Sequence, residues 1–288
     1  MVSWKNCEGN TMRAAYAPLS TPLIVRESLH TEALTMGFAG GHAAILSCRS
    51  PNKTTNNEDS AAAIPVMEGA GVLAVADGVG GQRAGDRASA EALLTMAQTI
   101  EEGRLSGNEL RTSILNGIER ANRRIQEIGI GAGTTLAAIE IKDSSVRPYH
   151  VGDSFVLVVG QRGVIRLETI PHSPTGYAVM AGLLDGKDAL LHKERHLINN
   201  MLGSQDMRIE LGSALTLRPK DTVLLGSDGL SDNLNIEEIV EIIRKGPLEE
   251  ASAELLHRVQ VRMTASASST LPSKPDDLTF ILYRPGQR

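Results

Sequence analysis

Three aspartates in this chain stand where an apolar, strand-length run stops. Val72-Leu-Ala-Val-Ala-Asp-Gly78 ends in Asp77, and Val223-Leu-Leu-Gly-Ser-Asp-Gly229 ends in Asp228. Between them, Tyr149-His-Val-Gly-Asp-Ser154 carries Asp153 in a related setting. A single Asp-Gly after a strand is ordinarily just a turn. Three strand-end aspartates suggest instead that several strands aim carboxylates at a common point. Glu58 and one of Asp276 or Asp277 add further oxygen donors at turns. Gly78 can take backbone angles closed to other residues, which would turn its carbonyl toward the same place. An all-oxygen set suits Mg²⁺ or Mn²⁺, and the lack of His and Cys in it disfavours zinc. Two such ions sharing a carboxylate can hold a hydroxide between them and clamp a phosphoryl group for in-line attack.

The rest of the composition narrows the class. At 288 residues, the chain can bury roughly 75% of its unfolded surface, enough for one large core. A net charge of −5, with no basic cluster carrying interleaved aromatics, argues against nucleic acid as a partner. It also argues against a two-metal nuclease, which needs a basic surface. No apolar stretch reaches the length of a membrane span, and the N-terminus lacks the layout of a secretory signal. Cys7 and Cys48 are too few and too isolated for a disulfide framework or a zinc knuckle. A cytoplasmic protein with reduced thiols, and a monomer, is the expectation.

Other motifs fail on inspection. Gly78-Val-Gly-Gly-Gln-Arg83 breaks a dinucleotide fingerprint at its third glycine. His192-Lys-Glu-Arg-His196 misplaces the glutamate of a zinc-protease helix and reads as a solvated helix. Leu225-Gly-Ser-Asp-Gly229 lacks the first glycine of a nucleophile elbow.

The positioning elements follow from periodicity. Residues 1–40 form an N-terminal extension, with one short strand possible at Pro22 to Val25, and the domain proper begins at 41. His42 to Ser47 predicts a first strand. Residues 80–85 read as a loop into a helix over Asp86 to Glu102, and a second helix runs from Asn108 to about Ile128. In it, Arg120, Arg123 and Arg124 read as a solvated face. Short-turn strands then cover Thr134 to Leu167, which means antiparallel sheet. Residues 171–210 are an excursion with an amphipathic piece over Leu190 to Met201, and such loops often border sites. Strands at Arg208 to Leu211, Ala214 to Leu217 and Thr222 to Leu225 follow, then helices over Ile236 to Arg244 and Glu249 to Met263. Leu278 to Tyr283 is the closing strand.

With these residues in place, the chain resembles the type-2C (PPM) protein phosphatases. Six stretches carry the resemblance, in the family's order and spacing: Asn57-Glu-Asp-Ser60, Val75-Ala-Asp-Gly-Val-Gly-Gly81, Gly133-Thr-Thr135, His150-Val-Gly-Asp-Ser154, Ser227-Asp-Gly-Leu-Ser-Asp232 and Pro275-Asp-Asp-Leu-Thr279. They span about residues 41–285, and the chain is most similar to the compact bacterial-type members, whose flap would be 171–210. The resemblance implies an α+β fold, a four-layer α-β-β-α sandwich of two antiparallel sheets. It implies a metal-dependent enzyme that hydrolyses phosphoserine and phosphothreonine in protein substrates by attack of a metal-bridging hydroxide. By the same resemblance, Asp77 would bridge two Mn²⁺ or Mg²⁺ ions. Asp228 and Asp276 would complete the ligands of the first ion, and Glu58 and the Gly78 carbonyl would hold the second ion. Asp153, with Asp228, would hold a third, weaker ion, and Asp59 would support the ligands from behind.

Three positions depart from the family. The Arg that often binds substrate phosphate three residues before the Asn-Glu-Asp motif is Thr54 here, so adjacent Lys53 is the expected substitute, with Arg49 nearby. Val79 stands where eukaryotic members place a His, and Asp277 where the family usually has Asn. Thr54 alone favours the rival reading, a catalytically weak or inactive module of the same fold that binds or regulates. Retention of every metal-position acid favours the enzyme.

Overall fold

A sheet buried on both faces needs apolar residues at successive positions, and the strands here supply them. The computed structural model describes residues 18–79, 84–129, 131–190, 192–265 and 272–286. One sheet orders β1 (Leu23–Arg26), β4 (Asp59–Met67), β5 (Ala70–Val79), β7 (Leu136–Lys142), β8 (Ser145–Val151) and β11 (Glu210–Leu211). Two short strands join it off this path, β6 (Gly133–Thr134) beside β5 and β12 (Leu215–Thr216) beside β8. The other sheet orders β10 (Ile165–Glu168), β9 (Phe155–Val159), β13 (Thr222–Gly226), β14 (Leu278–Pro285), β3 (Gly41–Cys48) and β2 (Leu34–Phe38). The pairings within both sheets are antiparallel.

Alternation along each strand sorts side chains into three apolar layers. Leu73 and Val75 of β5 and Ala43 and Ile45 of β3 fill the space between the sheets. Val72, Ala74 and Ala76 face outward against helices α1 (Gly85–Leu105) and α2 (Leu110–Ile128). On the far side Ala44 and Leu46 pack against α6 (Ile236–Ile243) and α7 (Leu248–Met263). The result is the expected four-layer α-β-β-α sandwich. Packing rather than capping holds α2, which has no side-chain cap at its N-terminus. Its stripe of Ile114, Ile118, Ala121 and Ile125 is fully buried, and each isoleucine contributes roughly 1.5–3 kcal/mol. Two of its arginines pair across to α1, Arg120 with Glu102 and Arg124 with Glu91.

Several expectations need correction. The boundary placed at residue 40 falls inside a hairpin, because β2 and β3 pair from Leu34↔Ile45 to Phe38↔Gly41. β1 pairs along β4, so residues 23–38 belong to the sheets and are not an appended extension. The strand expected from Thr134 is broken at Thr135 into β6 and β7. The excursion at 171–210 holds α3 (Pro174–Met180) and α4 (Gly186–Ala189), then turns. The amphipathic piece at Leu190 to Met201 and the solvated helix at His192 to His196 are therefore not helical where described. Cys7 and the loop residues 80–83 lie outside the described residues.

Candidate active site

Antiparallel order brings strand exits and strand entrances to the same end of the sandwich. β5 and β13 run out there into Asp77 and Asp228, while β4, β9 and β14 start there, beside Asp59, Asp153 and Asp276-Asp277. Asp59 and Asp77 are direct cross-strand partners. The two sheets join at this end through Ser227, whose Oγ donates to Asp59 Oδ2 at 2.7 Å and accepts from the Thr279 N–H at 3.1 Å. Asn57 and Thr279 both donate to Ser47 Oγ, at 3.0 and 2.8 Å. A buried hydroxyl-amide network thus fixes where the acids emerge.

Both Asp-Gly pairs need glycine for space. A Cβ on Gly78 would fall 2.3 Å from the Gly85 carbonyl oxygen, and one on Gly229 only 1.9 Å from that of Asp277. Neither glycine has a left-handed φ, so the expected reliance on unusual backbone angles is replaced by close approach of two chain segments. The same crowding brings donors together. A Cβ on Gly85 would meet Glu58 Oε1 at 2.6 Å and the Gly78 carbonyl oxygen at 3.0 Å. The carboxylate and carbonyl expected to share one ion therefore converge on one small space.

Electrostatics mark the cluster as a site built for positive charge. Burial pushes the Asp77 carboxyl well above the usual range, and the charges of Asp59, Asp228, Asp276 and Asp153 add to it. Asp59 is raised by burial and then by Asp277. Asp153 is raised to about 8 by burial, Asp228 and Asp232. Asp276 is raised by burial and Asp228 against the pull of Lys274. Two ammonium groups already sit among these acids. Lys274 Nζ lies 2.6 Å from Asp228 Oδ2, 2.7 Å from Asp232 Oδ2 and 3.0 Å from Asp276 Oδ2. Lys53 Nζ lies 2.7 Å from Glu58 Oε2 and 2.6 Å from Asp277 Oδ2. Burial pulls the Lys53 ammonium down, but its bonds to Asp277 and Glu58 outweigh this and leave it raised. An oxygen-only donor set that draws in cations fits a hard divalent ion.

All the expected acids, Glu58, Asp77, Asp153, Asp228 and Asp276, are gathered here with Gly78. Lys53 is gathered too, with its head turned into the acids; Thr54 is exposed. Arg49 instead donates to the Thr55 carbonyl at 3.3 Å. The two adjacent acids at the last motif divide their work. Asp276 faces Lys274, whereas Asp277 accepts from the Ser50 and Glu58 N–H groups at 2.8 and 2.7 Å and from Lys53. Asp277 therefore anchors the loop that carries Glu58.

Sequence reasoning missed the residues that hold the acids in place. Thr135 donates its N–H to the Asp77 carbonyl at 2.8 Å, and its Oγ1 accepts from the Asp77 N–H at 3.1 Å. Thr134 Oγ1 donates to the same carbonyl at 2.7 Å. Gly133-Thr-Thr135 carried part of the resemblance, but nothing in it points to backbone pairing with Asp77. Lys274 has no signal beyond its place beside Pro275.

The family model described as protein phosphatase 2C matches residues 51–266. Protein phosphatase PhpP of Streptococcus pneumoniae serotype 2 is 30% identical over 217 residues, covering 71% of this chain and 85% of that protein. The serine/threonine phosphatase of S. agalactiae superposes with a TM-score of 0.72 at 27% identity, over 84% of this chain and 98% of that one. The catalytic domain of the phosphatase PstP, solved with two manganese ions, gives a TM-score of 0.67 at 26% identity, over 85% and 98%.

Proposed function

Since this chain belongs to the protein phosphatase 2C family of metal-dependent enzymes and is itself a protein serine/threonine phosphatase, we propose that the acid cluster at the sandwich end is its reaction centre. The carrying observation is the convergence of Glu58 Oε1 and the Gly78 carbonyl beside buried, mutually repelling carboxylates. Asp77, Asp228, Asp276, Glu58 and the Gly78 carbonyl would hold two Mn²⁺ or Mg²⁺ ions, and Asp153 with Asp228 would hold a third, weaker one. PstP, solved with two manganese ions, supports the first two. Bound there, hard divalent ions supply Lewis-acid activation of water and offset charge on the phosphoryl group.

The chain's own residues do the rest. Thr134 and Thr135 fix the backbone of Asp77, so its carboxylate is placed before any ligand arrives. Ser227 holds Asp59 behind it. Lys53, beside Glu58, would meet the substrate phosphate in place of the family's arginine, with exposed Thr54 next to it. A lysine meets that phosphate as a point charge without a bidentate fork. Among the described residues no helix is long and apolar enough to cross a membrane, and Cys48 is a buried thiol pushed up to about 12 by burial, Asp59 and Asp277. We place the protein in the cytoplasm as a monomer acting on phosphorylated proteins.

The test is hydrolysis of a phosphothreonine peptide with Mn²⁺, with chelator, and in Asp77→Asn. Activity should require the ion and vanish in the variant while its circular dichroism stays native. Near-normal turnover in Asp77→Asn would remove this reading.

A further inference from the structure

The flap leaves the sandwich at His172 and returns through Asn200 to Glu210, and both ends meet on one imidazole. The His172 N–H donates to the Gly152 carbonyl at 2.9 Å, and the Gly152 N–H donates back to His172 Nδ1 at 3.1 Å. The Asn199 N–H donates to the His172 carbonyl at 2.7 Å. Asn200 Nδ2 reaches Nδ1 at 2.9 Å and the Arg208 carbonyl at 2.7 Å, while Asn200 Oδ1 accepts from the Arg208 N–H at 3.0 Å. That pairing with the Arg208 backbone fixes which way the amide points. Nδ1 therefore faces two N–H donors and must carry a lone pair. The ring proton sits on Nε2, 3.1 Å from Glu210 Oε2. His150 stacks on the same ring at 4.3 Å, its Nε2 2.9 Å from the Ile170 carbonyl.

His150, His172 and Glu210 lie near enough to suggest a metal site, with ligand atoms within 4.8 Å of one another. The tautomer argues against it. A metal on Nε2 of a neutral His172 would move the proton to Nδ1, head-on to two N–H groups. A hydrogen-bonded hub uses both ring nitrogens of His172 as they stand.

What the hub grips is the turn before Asp153. Gly152 has φ +100°, and a Cβ there would fall 2.7 Å from Thr135 Cγ2. On the other side of Asp153, Ser154 Oγ lies 2.6 Å from Thr135 Oγ1, the atom that accepts from the Asp77 N–H. We propose that His172 is a positioning residue for the phosphatase reaction. It buckles both ends of the flap onto Gly152 and so holds Asp153, and through Ser154 and Thr135 the end of the Asp77 strand, in register. This rests on the reading of Asp77 and Asp153 as reaction acids.

The experiment compares His172→Ala with His172→Asn in the Mn²⁺-loaded full chain. Asparagine can place Oδ1 about where Nδ1 stands, keeping the acceptor while losing the bond to Glu210. His172→Ala should lower kcat by about tenfold to a hundredfold, as loss of a supporting partner does elsewhere. Its KM for a phosphopeptide should move by less than about twofold, since His172 acts only through the placement of Asp153 and Asp77. His172→Asn should stay within about threefold of wild type in kcat. Amide exchange should find Gly152 protected in wild type and in His172→Asn, and unprotected in His172→Ala. Should His172→Ala fail to fold, His172→Gln takes its place, because its acceptor sits one bond too far out and the same losses are expected. Wild-type kcat in the alanine or glutamine variant, a His172→Asn as impaired as that variant, or a Gly152 amide unprotected in wild type overturns the proposal. If wild type itself showed no phosphatase activity, the functional reading would fall, while the exchange data would still decide whether His172 clips Gly152.

Discussion

Removing the metal should turn the reaction centre into a liability that grows with pH, and Asp153 shows how much. Its carboxyl moves from 3.8 to about 8 in the fold, through burial and then the charges of Asp228 and Asp232. The folded value lies above the unfolded one. Between about pH 4 and 8 the native state therefore keeps a proton that the unfolded chain has released, and stability falls as pH rises through that window. At 1.36 kcal/mol per pH unit the gap is worth about 5–6 kcal/mol. Asp153 keeps some exposure to solvent, so screening brings the expected loss to about 2–3 kcal/mol. Metal-free Asp153→Asn should then be more stable than metal-free wild type by about that amount at pH 8 and by less than about 1 kcal/mol at pH 5. Urea unfolding of chelator-treated proteins at pH 5, 6.5 and 8 measures the difference. Excess Mn²⁺ should reverse the slope for wild type, because cation binding needs ionised carboxylates. Metal-free wild type no less stable at pH 8 than at pH 5, or Asp153→Asn less stable at pH 8, would refute the electrostatic reasoning.

Gly229→Ala should be among the most damaging small changes in the chain, since its Cβ would land 1.9 Å from the Asp277 carbonyl oxygen. A loss of about 1–3 kcal/mol or more in urea unfolding is expected, by analogy with overpacking, and a neutral result would mean that the α5 segment (Asp228–Ser231) is not so tightly seated. Lys53→Ala should leave the buried Asp277 carboxylate with its two N–H donors but without its counter-charge and cost about 1–3 kcal/mol, with partial recovery when Asp277→Asn is added. The same variant should raise KM for a phosphopeptide several-fold, and an unchanged KM would remove Lys53 as the phosphate's partner.

The acids were legible because chemistry and element ends coincide in the sequence. Asp77 and Asp228 each close an apolar run, and a strand that ends in a carboxylate shows both facts at once. The two-sheet architecture was legible for a related reason: short turns between apolar runs from Thr134 onward leave only antiparallel pairing. What escaped was whatever depends on a partner far along the chain. Asp277 bonds to Ser50, Lys53 and Glu58, more than 200 positions away, and no local pattern distinguishes it from Asp276. The edge strands β1 and β2 are only 4 and 5 residues long, and their status comes from the strand beside them rather than from their own periodicity. The flap misled because most of the described residues between Leu190 and Met201 are exposed, so helical spacing there has little apolar surface to pack against. His172, two residues after Ile170, carried no motif of its own.

The two strands drawn from residues 23–38 have a bearing on how this protein can be handled. β1 lies along β4 and β2 along β3, so each sheet has one margin closed by the chain's early segment. Behind them run Ala61 to Ile64 and Ala43 to Leu46, apolar and almost wholly buried. Starting the chain at residue 41, where the motifs begin, would bare a ladder of unpaired N–H and C=O groups on both sheets at once. Open strands of that composition are templates for another copy. A shortened version would be expected to associate through its margins with every acid of the reaction centre still present, and poor recovery of such a version would report on those margins rather than on the chemistry.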